Sequence, residues 1–193
     1  MVRAAPPRRS QDTKARILAA AQCAFAREGY ERATIRGIAA AAAADPALVL
    51  RYFGSKDGLF AAAAAFDLRL PEIGALSRTA LGTALVRHFL ARWEGDPADT
   101  ALRVLLRSAV TNASAAERMR DIFSRQLLPV VAQAAPAGQA ERRAGLVASQ
   151  MLGLALCRYV LNLPSVTDLT QDEIVAWLGP TVQRYLVEAA PAA

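Results

Sequence analysis

Few side chains in this 193-residue chain can do chemistry, and most of those that can lie close together. Between Thr34 and Lys56 stand Arg36, Arg51 and Tyr52, with Ala47 and Leu48 among them. A hydroxyl and an ammonium beside helix amino-termini suit phosphate oxygens, which makes Tyr52 and Lys56 candidate contacts to a nucleic-acid backbone. Arg51 is the strong hydrogen-bonding candidate for a guanine edge. Ala47 and Leu48 fit a thymine methyl but cannot make bidentate hydrogen bonds. Arg36 suits a base edge or a phosphate. Plainer readings stand beside these: Arg36 and Arg51 as solvated charges, and Thr34 as a helix cap with or without a DNA contact.

Covalent chemistry finds less support. His88 is the only histidine, and there is no G-x-S-x-G elbow, no phosphate-cradling glycine loop and no C-x-x-C. An enzyme reading would need His88 paired with a nucleophile from elsewhere. Cys23 and Cys157 are too few and too far apart for a disulfide framework or a metal site, so both read as reduced, partly buried thiols and no cofactor is expected.

The elements that must position the cluster are two short helices. Asp45 is a natural N-cap and Pro46 supplies a pre-set φ where no amide proton is needed, so a helix begins at Pro46. Upstream, Thr34 caps a helix of about two turns carrying Ile35, Ile38, Ala39 and Ala42 at helical spacing. About three residues separate the two helices, which makes a helix-turn-helix. Val49 and Phe53 form the inward stripe of the second helix. Ala47, Leu48, Leu50, Arg51 and Tyr52 are left on the surface that a recognition helix lays in a major groove. Gly54 breaks this helix and Ser55 caps the next.

Thr34, Ile35, Arg36, Ile38, Ala39, Ala42, Val49, Tyr52, Phe53, Ser55, Lys56 and Leu59 together resemble the DNA-binding segment of TetR/AcrR-type transcriptional regulators. Three positions depart from that pattern. Ala43 replaces the turn glycine, Ala44 a valine, and Leu50 a tyrosine that usually touches the DNA backbone. A left-handed Ala43 would cost roughly 1 kcal/mol relative to Gly. The resemblance implies an all-α homodimer that binds a palindromic operator as a repressor. It also implies an effector pocket in the larger domain, and a four-helix bundle formed by the last two long helices of each subunit, here about 140–161 and 171–188.

Composition agrees with an all-helical protein: 54% of residues are hydrophobic, and no segment alternates as a strand. The basic excess sits with the motif. Residues 1–60 hold 10 Lys+Arg against 5 Asp+Glu, whereas residues 61–193 hold 13 against 12. Charge concentrated on the motif supports nucleic acid as partner. No apolar leader core and no uninterrupted apolar run of about 18 residues is present, so membrane association is not expected and a cytoplasmic location is.

The expected organisation is a disordered basic arm over 1–10, a helix-turn-helix domain over 11–56, and a ligand-binding and dimerisation domain over 57–193. Arg3, Arg8 and Arg9 of the arm either reach DNA or form a solvated tail. A helix over about 12–28 closes the small bundle and ends at Gly29. Later helices are expected from Lys56 to Leu70, over 77–93, over 97–112, from a capping box at Ser114 and Glu117 to Pro129, over 140–161, and from a second box at Thr170 and Glu173. The stretch 140–161 is apolar nearly all round, which calls for burial inward on one side and against a partner subunit on the other. Charges placed at Leu161 or Val182 are expected to fall on that outward side. Phe89, Trp93, Phe123, Met151 and Leu154 recur on inward faces, either as plain core or as the lining of a site for a small apolar or aromatic effector. His88 and Gln150 are the polar groups that would orient it. His88 as an exposed helix residue and Gln150 as an interface hydrogen bond are the bland alternatives. A helix-turn-helix regulator without an effector remains a rival reading.

Overall fold

The computed structural model describes residues 8–95 and 100–189 as helices joined by turns, with no strand among the described residues. The chain divides into two compact units. One comprises residues 1–66 and 100–118, and the other residues 67–99 and 119–193. This compact division differs from the functional boundary expected after residue 56, because the helix that follows Lys56 and the segment from Thr100 both pack on the first helix.

In the first unit, α1 (Arg8–Arg32) buries Ile17, Ala21 and Phe25. It starts earlier than expected, so the disordered arm is corrected at residues 8–10; residues 1–7, with Arg3, lie outside the described residues. Ser10 and Lys14 extend the Ile17 stripe backwards at helical spacing. Gly29 interrupts the helix at φ 78 and ψ 170, and one further turn follows to Arg32. The helix-turn-helix comprises α2 (Ile35–Ala41) and α3 (Pro46–Phe53). α4 (Lys56–Ala63) stops at Ala64 rather than running to Leu70, since the Ala64 amide closes back on Phe60 and Ala62 carbonyls. Phe60 meets Phe25 and Tyr30 edge to face, with centroids 5.1 Å away in each case.

α6 (Thr100–Ser108) returns to α1, burying Val104 and Leu105 while Arg107 donates to the Ala26 carbonyl at 3.1 Å. It is shorter than the expected 97–112, of which residues 97–99 lie outside the described residues. α7 (Ala113–Ile122) starts at a different cap from the one expected. Asn112 Oδ1 accepts from the Ala115 amide at 2.9 Å, so the N-cap is Asn112 and the Ser114–Glu117 box does not set the start.

The second unit holds α5 (Leu81–Glu94), α8 (Leu128–Ala134), α9 (Ala140–Ala155), α10 (Pro164–Thr167) and α11 (Gln171–Val187). α5 starts later than residue 77, with Gln183 Nε2 holding the Arg78 carbonyl at 2.7 Å outside the helix. Pro129 does not end a helix; a π turn over Phe123–Leu127 continues α7 directly into α8, where Pro129 occupies an early, donor-free position. A second π turn, Leu156–Val160, extends α9 as far as the sequence suggests.

Leu85, Val86, Leu90, Val131, Val147, Met151, Ile174, Val182 and Leu186 belong to one core cluster. α5 and α11 approach so closely that a Cβ on Gly82 would lie 2.3 Å from the Gly179 carbonyl oxygen. The Gly82 amide donates to Gln183 Oε1 at 2.8 Å across that crossing. Thr170 and Glu173 form the reciprocal capping box of α11. At its other end, the buried Arg143 of α9 donates to the Tyr185 and Glu188 carbonyls at 2.6 and 2.5 Å, where a cation complements the helix dipole.

Candidate nucleic-acid interface

Each end of the two helices is capped as its residues dictate. Thr34 Oγ1 accepts from the Gly37 amide at 3.0 Å, and Asp45 Oδ1 from the Ala47 amide at 2.7 Å. α2 ends in a paired reverse turn: the Ala44 amide bonds the Ala39 carbonyl at 2.9 Å and the Ala43 amide the Ala40 carbonyl at 3.1 Å. That closure requires a left-handed residue between α2 and α3, and Ala43 adopts it at φ 48. The alanine therefore keeps the turn that a glycine would make, at the expense of backbone strain.

After α3, Gly54 turns the chain at φ 77 and Ser55 caps α4 by accepting from the Gly58 amide at 3.0 Å. Gly58 is needed for closeness rather than for φ, because a Cβ there would stand 2.0 Å from the Phe53 carbonyl oxygen. This presses the start of α4 onto the end of α3 and so fixes where Lys56 stands. Val49 is fully buried and anchors α3. Opposite it, Ala47 and Arg51 are exposed and Leu48 and Tyr52 half-buried; Leu50, in place of the usual tyrosine, is 47% exposed. Arg36 and Thr34 are exposed on α2 and its cap.

The polar side chains are held by neighbours. The Arg51 guanidinium lies 5.3 Å over the Tyr52 ring, and the Tyr52 hydroxyl is 3.0 Å from Ser10 Oγ. The hydrogen bond with Ser10 and the adjacent Arg51 hold the Tyr52 phenol below its ordinary value. Lys14 lies 5.5 Å over the Phe53 ring. Lys56 donates to the Glu31 carbonyl at 3.2 Å and sits 4.4 Å over the Tyr30 ring, while the Tyr30 hydroxyl donates to Asp57. Burial and that carboxylate push the Tyr30 phenol up to about 12.

Thr34, Arg36, Ala47, Leu48, Arg51, Tyr52 and Lys56 thus all belong to α2 and its cap, α3 and the first residue of α4 in the first unit. Sequence reasoning missed Ser10 and Tyr30, which brace Tyr52 and Lys56, and Lys14, which lies over the adjacent Phe53. The available signal was the backward extension of the Ile17 stripe to Ser10 and Lys14.

In the second unit, Met151 belongs to the core cluster, against which Phe89, Phe123 and Leu154 pack. Trp93 is buried, stacked on Tyr159 at 4.7 Å and 5.7 Å from Phe89. His88 Nε2 meets the Leu68 carbonyl at 2.8 Å, which gives that ring a main-chain partner, and Gln150 is half-buried. Val182 is fully buried, so it does not lie on an outward face; it is 0% exposed because α11 turns it into the unit's own core. The exposed apolar residues of this unit include Trp177 at 79%, Leu161 at 55%, Leu146 and Leu156. Cys23 is exposed and Cys157 half-buried, both as free thiols. Among the described residues, no helix is long and apolar enough to cross a membrane.

Comparison with known proteins agrees with this architecture. Residues 17–63 match the family model described as bacterial regulatory proteins of the tetR family, and residues 80–186 match the tetracyclin repressor-like C-terminal domain. No curated protein matches the chain. A TetR-family regulator from Streptomyces coelicolor A3 is 25% identical over 95% of this chain and 99% of its own, with a TM-score of 0.63. A putative TetR-family transcriptional regulator from Rhodococcus sp. shares the fold at a TM-score of 0.68 and 17% identity, over 91% of this chain and 99% of its own. The multidrug binding protein EbrR, solved in complex with imidazole, shares it at 0.67 and 18% identity over the whole of both chains. With matches to both domain models and a capped helix-turn-helix that presents Arg36, Arg51 and Tyr52, the chain belongs to the TetR family of DNA-binding transcriptional regulators.

Proposed function

We propose that this chain is a ligand-responsive transcriptional repressor that binds a palindromic operator in double-stranded DNA as a homodimer. The observation that carries the reading is the α2–turn–α3 pair, capped at both helix starts and closed by a left-handed Ala43, with Arg36, Ala47 and Arg51 left to solvent. Arg51 and Arg36 read base edges, Tyr52 and Lys56 hold phosphates, and Ala47 and Leu48 supply apolar contact. Thr34 acts first as a cap. The helix-turn-helix portion over 11–56 does the DNA binding, and the rest of the chain serves assembly and response.

Assembly is supported by Trp177, Leu146, Leu156 and Leu161, which leave apolar area uncovered on α9, its π turn and α11. For the effector, the reading is a small, mainly apolar or aromatic molecule lodged among Phe89, Trp93, Phe123, Met151 and Leu154, with Gln150 orienting it. His88, engaged with Leu68, contributes from the wall. The effector must favour a conformation in which the two recognition helices no longer match successive major grooves. An enzyme built on His88 is disfavoured by that same main-chain bond.

A thermal-shift screen of metabolites and lipophilic drugs tests the response, with each hit then titrated against the protein–DNA complex. Hits that raise the melting temperature should weaken DNA affinity by about 5- to 150-fold. Hits that stabilise the protein and leave DNA affinity unchanged would leave a regulator without an effector.

A further inference from the structure

Asp67 and Leu68 are the first residues of the second unit after the chain leaves the first. No helix holds their main chain: α4 has ended at Ala63, and the next regular turn starts at Ile73. Side chains from two separate elements take up their polar groups instead. The Leu68 amide donates to Gln126 Oε1 at 2.6 Å, and the Leu68 carbonyl accepts from His88 Nε2 at 2.8 Å. A carbonyl can only accept, so Nε2 carries the ring proton. Arg92, one turn along α5 from His88, donates to the Asp67 carbonyl at 3.2 Å. The next residue, Arg69, is left-handed at φ 46, and its amide donates to Asp67 Oδ1 at 3.0 Å. A non-glycine residue persists in that region only where its surroundings over-determine it, and bonds to both polar groups of Leu68 do so.

Gln126 stands in the π turn over Phe123–Leu127, the continuation of α7, and α7 is where the chain re-enters the second unit at Met119. Two of the places where the chain passes between units are therefore tied together on the second unit's side. Phe123 and Leu127, on the same π turn, pack against the core cluster together with Phe89 of α5. Gln126 and His88 thus stand next in sequence to residues that pack on that core. A single π turn inside an α-helix is frequently found at a functional site.

We propose that Gln126 and His88 are positioning residues of the DNA-binding response: they latch the Asp67–Leu68 main chain to the second unit, and the latched linker sets operator affinity. This inference rests on the reading of the chain as a sequence-specific DNA-binding regulator. The latch has two states, and whatever withdraws the π turn frees the linker.

The test uses the full chain and DNA duplexes enriched by the wild type from a randomised library, with affinity read by fluorescence anisotropy and linker order by hydrogen exchange at the Leu68 amide. Gln126→Leu and His88→Phe remove the two bonds separately; Gln126→Glu and His88→Gln keep an acceptor and a donor in place. The Leu variant should speed Leu68 exchange, and both disrupting variants should change operator affinity by at least about 5-fold, the lower end of ordinary allosteric coupling. The slope of log affinity against log salt should stay as in the wild type, since the same phosphates are neutralised. The conservative variants should stay within about twofold of wild type on the same scale. Wild-type affinity in folded Gln126→Leu and His88→Phe, or a changed salt slope, overturns the latch. Loss of helical circular dichroism in the disrupting variants together with failure of the conservative pair to restore affinity overturns it as well. A wild type that enriches no duplex overturns the regulator reading itself, and the latch with it.

Discussion

Ala43→Gly should stabilise the protein, against the usual effect of placing glycine near a helix. Ala43 sits at φ 48, where its Cβ crowds the following carbonyl at a cost of about 1–2 kcal/mol. It cannot relax, because its own amide and that of Ala44 close the end of α2 on the Ala40 and Ala39 carbonyls at 3.1 and 2.9 Å. Glycine removes the crowding but gives the unfolded chain more freedom, which takes back roughly 0.4–1 kcal/mol. The net gain is about 0.5–1 kcal/mol, or a rise of roughly 1–4 °C in a chain of this size. Urea denaturation followed by circular dichroism measures the shift in midpoint at constant slope. Ala41→Gly, exposed and two residues earlier inside α2, is the control and should lose about 0.5–1 kcal/mol. A midpoint for Ala43→Gly equal to or below that of the wild type, with the control behaving as expected, would refute the strain argument.

Gly82→Ala should destabilise by about 1–3 kcal/mol in a thermal melt, because its methyl would meet the Gly179 carbonyl oxygen at 2.3 Å where α5 crosses α11. Trp177→Glu should leave a folded monomer in sedimentation where the wild type forms the proposed dimer, whereas Val182→Glu should unfold the chain, Val182 being 0% exposed. Burial pushes the Glu94 carboxyl up, but bonds from Tyr159, Gln171 and Arg158 and the Arg158 charge outweigh it and hold it below the usual range. A carboxylate depressed in the folded state contributes stability that is full above about pH 4.3 and lost as pH falls through its lowered value. Melting curves should therefore show Glu94→Gln less stable than wild type at pH 7, with the difference shrinking towards pH 3. Lys56→Ala and Tyr52→Ala should weaken all DNA sequences alike by anisotropy, while Arg36→Ala and Arg51→Ala should also relax discrimination at particular base pairs.

Local chemistry was legible in the sequence where one residue decides the outcome. Asp45 with Pro46, Thr34, Ser55, and Thr170 with Glu173 all cap the helices their types announce. The left-handed Ala43 was legible only through the resemblance, as the residue standing at the turn glycine. Long-range partners were not legible. Asn112 displaces the Ser114–Glu117 box because its Oδ1 takes the amide of Ala115, a residue that is fully buried. The π turns hide in sequence because one extra residue per turn leaves the apolar pattern almost unchanged, so Pro129 reads as a stop. Val182 reads as outward on a helix apolar on several sides, and only the position of α5 decides which side faces inward. For the interface, residue types and spacing gave the surface of α3, while Ser10, Lys14 and Tyr30 needed the placement of α1 across it.

The central claim is sequence-specific recognition of an inverted repeat through α3, and selection from a randomised duplex library followed by anisotropy over a salt series tests it most directly. The enriched duplexes should contain two half-sites about one helical turn apart, or a multiple of it, bound with log affinity that falls steeply against log salt. Weak binding of every duplex alike, with no enriched repeat, would contradict it.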